Sequence, residues 1–449
     1  MKIQLPEKVS RVIQTLEDAG YEAYAVGGCV RDSVIGREPS DWDITTSALP
    51  EQVKELFHRT IDTGIEHGTV TVMMDREGFE VTTYRIDGEY RDHRHPEQVN
   101  FTGELREDLR RRDFTINAMA YNDNCGMVDL FGGVEDLENG VIRCVGVATE
   151  RFEEDALRIL RAVRFAAQLG FIIEEQTAQA ARKLAGNLKD ISAERIQTEL
   201  VKMLVSPHPE MMRTAYELGL TRVVLPEFDA CMETPQHHPH HMYNVGEHTL
   251  KALEFTDPDK VLRLAVLFHD FGKPQARTTV DGVDHFHGHA RISAEMTGKI
   301  LRRLKFDNAT MDQVKRMVLY HDARPQPDER QIRRLVHRAG EDIFPGLFQV
   351  MGADILAQSD YRRLEKLLNL EQVQKTYEEI MQRRDCISLK QLAVTGKDLI
   401  EDGMTPGRAL GEILDQLFDE VLTDPQKNNR EYLLERSRQL RKNSCGSRD

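Results

Sequence analysis

Two aspartates two residues apart, Asp41 and Asp43 in SDWDITT, are the first side chains in the sequence with an evident chemical use. On a strand, residues i and i+2 point to the same face. Two carboxylates side by side repel each other unless a cation lies between them, and Mg2+ takes a few carboxylates together with phosphate oxygens. Glu80, in FEVTTYR, is a candidate third carboxylate. Upstream, GGCVRD supplies Gly27, Gly28, Arg31 and Asp32. Paired glycines let backbone approach a phosphate closely, and the Arg31 guanidinium can fork onto phosphate oxygens. A D-x-D pattern alone also describes a solvated strand edge. The glycine pair and the Arg-Asp pair just before it favour metal-assisted chemistry on a phosphate.

The whole segment GGCVRDSVIGREPSDWDITTSA resembles the signature of the nucleotidyltransferase superfamily that includes tRNA CCA-adding enzymes and bacterial poly(A) polymerases, in its class II branch. The resemblance implies that Asp41 and Asp43 hold two Mg2+ ions, with Glu80 as a further catalytic carboxylate. One ion would activate the 3′-hydroxyl of an RNA and the other would carry the triphosphate of the incoming nucleotide. Such a pair, about 4 Å apart, clamps the attacking and leaving oxygens. The protein then chiefly positions and neutralises. Gly28 and Arg31 are implied nucleotide contacts.

Further segments extend the likeness. RRDFTINAMA is similar to the family's ribose- and triphosphate-binding motif, at Arg111, Arg112, Asp113 and Asn117. By itself it also fits a basic helix N-terminus packed on a sheet. RIDGEYRDHRHPEQVNF, residues 85–101, is similar to the family's flexible loop, and VDLFGGVEDLENGVIRCVG to the segment that closes its catalytic domain. In EDALRILRAVRFA, residues 154–166, a continuous helix would put Asp155 and Arg158 on one face, with Arg161 and Arg164 continuing the stripe. A salt-bridged amphipathic helix has the same pattern, and its charged stripe need not be buried. In the resembling family this helix is a protein template for the base. Arg158 would donate to acceptors on cytosine or adenine, and Asp155 would accept from the exocyclic amino group that both bases carry. A site built on matched hydrogen bonds rejects a mismatched partner by about 10⁴-fold or more.

A second constellation follows: His248, the pair His269–Asp270 in LFHDFGKP, His289, His321 and Asp354. Helix neighbours differ in direction by about 100°, so both members of the pair can reach one ion in a bundle core. Histidine and carboxylate donors suit a divalent transition metal. The series resembles an HD-type metal phosphohydrolase domain, which several CCA-adding enzymes of this branch carry behind the transferase. His237, His238, His240 and His241, in ETPQHHPHH, read as a polar linker before it.

The elements that must position these residues divide the 449-residue chain. Residues 1–145 alternate β-like runs (YAVGG, DWDITTS, GTVTVMM, FEVTTYR) with helical ones, which predicts a small-sheet head. Helical periodicity dominates from Glu150 onward. The expected class is α+β: head 1–145, helical neck 146–232, HD domain 233–370 and helical tail 371–449. In the tail, Arg436, Arg438, Arg441 and Lys442 fit either RNA phosphates or a solvated helix face. The formal charge of −15 argues against a uniformly basic coat but allows a local basic groove. Six scattered cysteines with no C-x-x-C pair suggest a reducing cytoplasm, and no apolar run is long enough to span a bilayer. The expected partners are tRNA, CTP and ATP. The rival expectations are an A-adding-only enzyme, a poly(A) polymerase, and an HD phosphohydrolase with an inert RNA-binding transferase half.

Overall fold

The middle strand of the head sheet is short and begins on one of the two aspartates. We label the strands β1 (Ala23–Val26), β2 (Asp43–Thr46), β3 (Thr60–Gly64), β4 (Thr69–Met74), β5 (Glu77–Thr83), β6 (Met119–Asn122) and β7 (Gly126–Asp129). Their order across the sheet is β3-β4-β5-β2-β1-β6-β7, with β2 and β5 parallel and the other neighbours antiparallel. β1 is buried along its whole length, as are Ile44, Thr45 and Thr46 of β2. The threonines are tolerated there because each hydroxyl is bonded. Thr45 Oγ1 donates to Asp108 Oδ2 at 3.1 Å, and Thr46 Oγ1 to the Glu22 carbonyl at 2.7 Å. The helix Glu7–Asp18 packs on β1 through Val9, Val12, Ile13 and Leu16, a spacing that makes one apolar stripe.

The computed structural model of the chain describes residues 2–87 and 99–445. Most of the loop expected over 85–101 therefore lies outside the described residues; its two ends, Arg85–Asp87 and Val99–Phe101, pair as a short antiparallel ribbon. Two compact units emerge, Met1–Ala230 with Ile300–Phe306, and Cys231–Lys299 with Asp307–Asp449. The architecture is α+β, a sheet-bearing N-terminal region followed by helices. The only strands described beyond Glu150 are small: Ile172–Ile173, paired with Val141–Ile142, and the hairpin Thr278–Val280/Val283–His285. Asp281 and Gly282 turn that hairpin with φ of +50° and +77°, as a tight two-residue loop demands. Among the described residues no helix is long and apolar enough to cross a membrane.

In the second unit, helices Val245–Glu254, Lys260–Phe268, Asn308–Tyr320 and Phe344–Ala357 pack on one another. KVLRLAVLF is buried on nearly every side, so this helix runs through the middle of the bundle. Further on, Leu399, Leu417, Phe418, Val421 and Leu433 form a separate small core among the last helices.

One close crossing in this unit admits no side chain. A Cβ on Gly272 would lie 2.5 Å from the His289 carbonyl oxygen and 2.7 Å from the Ser293 nitrogen, both backbone. The Gly272 N–H donates to Ser293 Oγ at 2.8 Å. Gly272→Ala should force these segments apart and lower the stability of this unit by about 1–3 kcal/mol, the usual cost of overpacking. Urea unfolding followed by circular dichroism checks this, and an unchanged midpoint would contradict it.

Candidate functional site

In the sheet, Asp43 and Glu80 are register partners across the parallel β2–β5 pair. The expected strand DWDITTS is shorter than its sequence pattern. Pairing begins at Asp43, and Asp41 lies in the exposed segment before it, where Ser40 Oγ donates to its carboxylate at 2.9 Å. The shared-face argument for Asp41 and Asp43 therefore does not hold as a strand property. The two are nonetheless electrostatic neighbours. Desolvation, opposed by Arg112 and reinforced by Asp41 and Glu80, pushes the Asp43 carboxyl up to about 6. Carboxylates crowded in this way, with oxygen as their only donor, are chemically suited to hard divalent cations. Their oxygens stand further apart than the donors of the second unit described below.

The phosphate-side residues gather around the glycine pair. A Cβ on Gly27, whose φ is +82°, would lie 2.8 Å from Arg112 Nη1. The missing side chain is what lets that guanidinium lie on the backbone. Arg112 Nε is buried without a hydrogen-bond partner among the described residues, while Nη2 of the same guanidinium lies 3.6 Å from Asp108. Gly28 opens the helix Gly28–Val34, on which Arg31 binds Asp32 at 2.8 Å and donates from Nη1 to Asn117 Oδ1 at 2.8 Å. Asn117 Nδ2 donates to Asp113 Oδ1 at 3.1 Å, and Arg161 Nε to Asp113 Oδ2 at 2.7 Å. Burial alone would raise the Asp113 carboxyl, but Arg161, Asn117 and Arg158 hold it down at about 2. Arg111 and Arg112 stand at the C-terminal end of helix Leu105–Arg110, not at a helix start. Arg111 spends its guanidinium inward, on the buried Asp108 at 2.8 Å.

The expected continuous helix over 154–166 is broken. Ala148–Glu154 ends at Asp155, whose backbone is extended, and the next helix runs Leu157–Leu169. Asp155 accepts the Leu157 N–H at 3.0 Å, a local bond that competes with helical continuation. Its other oxygen accepts from Arg195 Nη2 at 2.7 Å. The charged stripe is also more buried than expected, with Arg158 and Arg164 at 9% and 6% exposure. Arg158 donates to Glu154 at 2.6 Å and to the Arg111 carbonyl at 2.9 Å. Arg164 pairs with Glu199 at 2.6 Å, and its guanidinium lies 3.8 Å from the Phe165 ring centroid.

In the second unit the six expected residues converge. His248 Nε2 lies 3.0 Å from Asp354 Oδ1 and 3.3 Å from His269 Nε2. Asp270 sits between two sides, with Oδ2 3.2 Å from His269 Nε2 and Oδ1 3.3 Å from His289 Nε2. His289 and His321 are 3.3 Å apart, Nε2 to Nε2. Two donor triples close to within 4.8 Å: His248, His269 and Asp354, and His269, Asp270 and His321. Each imidazole turns Nδ1 to a backbone carbonyl, at Ala357, Val266, Phe286 and Val318 respectively for His248, His269, His289 and His321. A carbonyl only accepts, so Nδ1 carries a proton, and Nε2 is left facing the carboxylates of the cluster, where metal ligation would use its lone pair. The residues present fit a metal centre. His269 and Asp270 lie in the turn just after helix Lys260–Phe268, where His269 keeps helical backbone angles.

The histidine-rich segment 237–241 is not a plain linker. His238, His240 and His241 line a cavity of about 420 Å3 together with Asp270, His289, His321 and Asp354. His241 stacks edge-on against His248 with centroids 5.6 Å apart. Burial and the nearby Lys273 push its pKa down to about 2, so its ring stays neutral. Only tertiary folding discloses this, because the sequence between the histidines carries no ligand spacing. By contrast, the tail arginines serve the tail. Arg436 binds Glu420 at 2.8 Å, and Arg438 and Arg441 both hold Asp402.

Profiles of three families match the chain: the Poly A polymerase head domain over residues 23–143, an RNA and SrmB-binding site of polymerase A over 170–232, and a tRNA nucleotidyltransferase domain 2 over 285–436. The chain is 38% identical over 430 residues to the CCA-adding enzyme of Lactobacillus helveticus, covering 94% of each. It is 54% identical over 209 residues to that of Lactiplantibacillus plantarum, 46% of this chain and 51% of the other. Among solved structures it resembles the Bacillus stearothermophilus CCA-adding enzyme in complex with CTP, at 30% identity and a TM-score of 0.72, over 98% of this chain and all of that one.

A buried carboxylate holds the histidine loop in place. Asp284 accepts from the His237 N–H at 2.8 Å, Arg277 Nε at 3.0 Å and Thr279 Oγ1 at 2.6 Å. Burial opposes its ionisation, but these donors hold the carboxyl below the ordinary range. Asp284→Asn should cost about 1–3 kcal/mol through the lost charged bonds. A depressed native pKa stabilises above the unfolded value, so the deficit should be full above about pH 4 and shrink as pH falls further. Unfolding midpoints across pH check this, and a pH-independent difference would contradict it.

Proposed function

The chain belongs to the CCA-adding enzymes, and from that premise we propose that it adds C, C and A to the 3′ end of tRNA, taking the nucleotides from CTP and ATP. The observation that best supports protein-directed addition is the Asp113 junction. Arg161, on the helix that follows Asp155, is bonded to Asp113 of the phosphate-side motif, and Arg158 is bonded to the Arg111 carbonyl. Base choice and phosphate binding therefore share one rigid wall.

In the proposed reaction the tRNA 3′-hydroxyl attacks the α-phosphorus, the α–β bond breaks, pyrophosphate leaves and the hydroxyl proton passes to water. Asp41 and Asp43 would hold Mg2+, with Glu80 beside them; bound there, the ions supply Lewis acidity for the attacking and leaving oxygens. Arg112, with its unpartnered Nε, and Arg31 orient the triphosphate. Arg158 and Asp155 choose the base. Cytosine and adenine both present an amino donor where guanine and uracil present a carbonyl. The bonds from Leu157 and Arg195 to Asp155 each use one lone pair of an oxygen that has two, so capacity to accept that amino group is left. The division at 145, 232 and 370 assigns head, neck, HD and tail parts. The described cysteines are free thiols, in keeping with work in the cytoplasm.

The imidazole cluster supports a second activity, hydrolysis of a phosphate ester in which water replaces the alcohol on phosphorus. His248, His269, Asp270, His289, His321 and Asp354 would hold divalent transition metal, which supplies an activated water and a charge clamp.

Purified protein, Mg2+ and all four nucleotides should extend tRNAs ending before CCA, after C and after CC, and stop at CCA. Addition of A alone, or long A tails, would overturn this in favour of an A-adding enzyme or a poly(A) polymerase. Asp41→Ala with Asp43→Ala should lower addition at least about 10³-fold and spare hydrolysis of 4-nitrophenyl phosphate. Asp155→Ala should relax the preference for CTP and ATP over UTP and GTP more than it lowers the rate with CTP; an unchanged preference would sink the base-reading assignment.

A further inference from the structure

The cavity that holds the imidazole cluster does not end there. It continues into a second chamber of about 490 Å3, and the two share His240, His321, Arg324, Asp354 and Lys366 as lining. Of the donor set, His321 and Asp354 stand at this waist, and Asp270 and His289 line the first cavity alone. On the other side the chamber is lined by Met351, Ile355, Leu370 and Val373, with Asn369 and the Arg362–Glu365 ion pair among them. Apolar walls with a few fixed polar groups are what a small organic ligand needs. The waist carries two cations and one carboxylate, Lys366, Arg324 and Asp354. Lys366 Nζ lies 3.0 Å from His240 Nδ1 and donates to Gln358 Oε1. Gln358 in turn donates from Nε2 to both oxygens of Asp354, at 3.1 and 3.0 Å. The ammonium is thus held at a fixed remove from a carboxylate of the metal-ligating set. Burial and the neighbouring Arg324 both push the Lys366 pKa down. Arg324, which also donates to Asp322 Oδ1 at 3.0 Å, lines both cavities with Lys366, so an anion beside the metal-ligating groups would meet two cationic donors.

Resting on the phosphohydrolase reading above, we propose that Lys366 and Arg324, with His240, form the phosphate-binding wall of this pocket, and that the adjoining chamber receives the organic group of a small phosphate ester. None of the three belongs to the His–Asp ligand series. Lys366 comes from the helix Arg363–Gln382 and Arg324 from the segment after His321, so the wall is supplied by elements that follow the metal-ligating turns. The cations take the non-bridging oxygens of the phosphate, and the direction of the chamber orients the leaving group.

The test uses the full-length protein with Mn2+, inorganic phosphate as ligand and 4-nitrophenyl phosphate as ester. Lys366→Met should weaken calorimetric binding of inorganic phosphate at least 10-fold with Mn2+ stoichiometry unchanged, and Lys366→Arg should restore most of it. Ile355→Trp should leave phosphate binding intact while raising KM for 4-nitrophenyl phosphate several-fold. CCA addition should be unaffected by any of them. Phosphate binding by Lys366→Met equal to wild type, at full metal occupancy, overturns the wall even if hydrolysis persists and is lost in His269→Ala. Phosphate binding that depends on Lys366 without any ester hydrolysis supports the wall and removes the phosphohydrolase reading instead. An unchanged KM in Ile355→Trp overturns the chamber assignment.

Discussion

The first unit depends on one buried carboxylate. Asp113 is nearly enclosed, yet it stays ionised because Arg161 and Asn117 satisfy both of its oxygens. Burying that charge is tolerable only with such partners, and removing one member of a buried pair costs about 3–5 kcal/mol. Through Asn117 the bond extends to Arg31 on the helix after the glycine pair, and through Arg161 to the helix after Asp155. The helix after the glycine pair and the helix after Asp155 are thereby held in one frame. Such a frame suits the proposed base reading, because a hydrogen-bond test of a base discriminates only if its donors and acceptors cannot move to suit the wrong one.

The second unit solves a related problem by fixing the orientation of its rings. Its imidazoles face one another closely, which would be unfavourable if all were protonated. Backbone carbonyls hold a proton of each on Nδ1 and leave the Nε2 atoms turned toward one another and toward Asp270 and Asp354. Three of the four carbonyls belong to the residue three places before the histidine, so local turns set ring orientation. The bundle then needs only to bring the turns together. Gly272, with no room for a Cβ, lets the turn carrying Asp270 meet the helix that begins at His289.

Local hydrogen bonding also explains where the structure departs from sequence periodicity. The i, i+3 pattern through 154–166 is sound as arithmetic, but Asp155 binds the Leu157 N–H and breaks the helix at its own position. The arginine stripe carries charge and still goes inside, because Glu154, Glu199 and Asp113 accept it there. Periodicity registers the polarity of a side chain. It does not register a buried partner supplied from distant sequence.

Sequence alone determined the α+β class and the candidate residues: the D-x-D, the Arg-Arg-Asp segment, the Asp–Arg stripe and the His–Asp series. These are properties of residue type and short spacing, which survive without coordinates. Tertiary structure decided what the chain does with them. It set the pairing limit that leaves Asp41 outside β2, the union of Asp113 with Arg161, and the capture of Arg438 and Arg441 by Asp402. It also turned the histidine segment before His248 into a cavity wall. Each of these joins residues far apart in sequence, or depends on which neighbours remove water from a charge, and no local pattern encodes that.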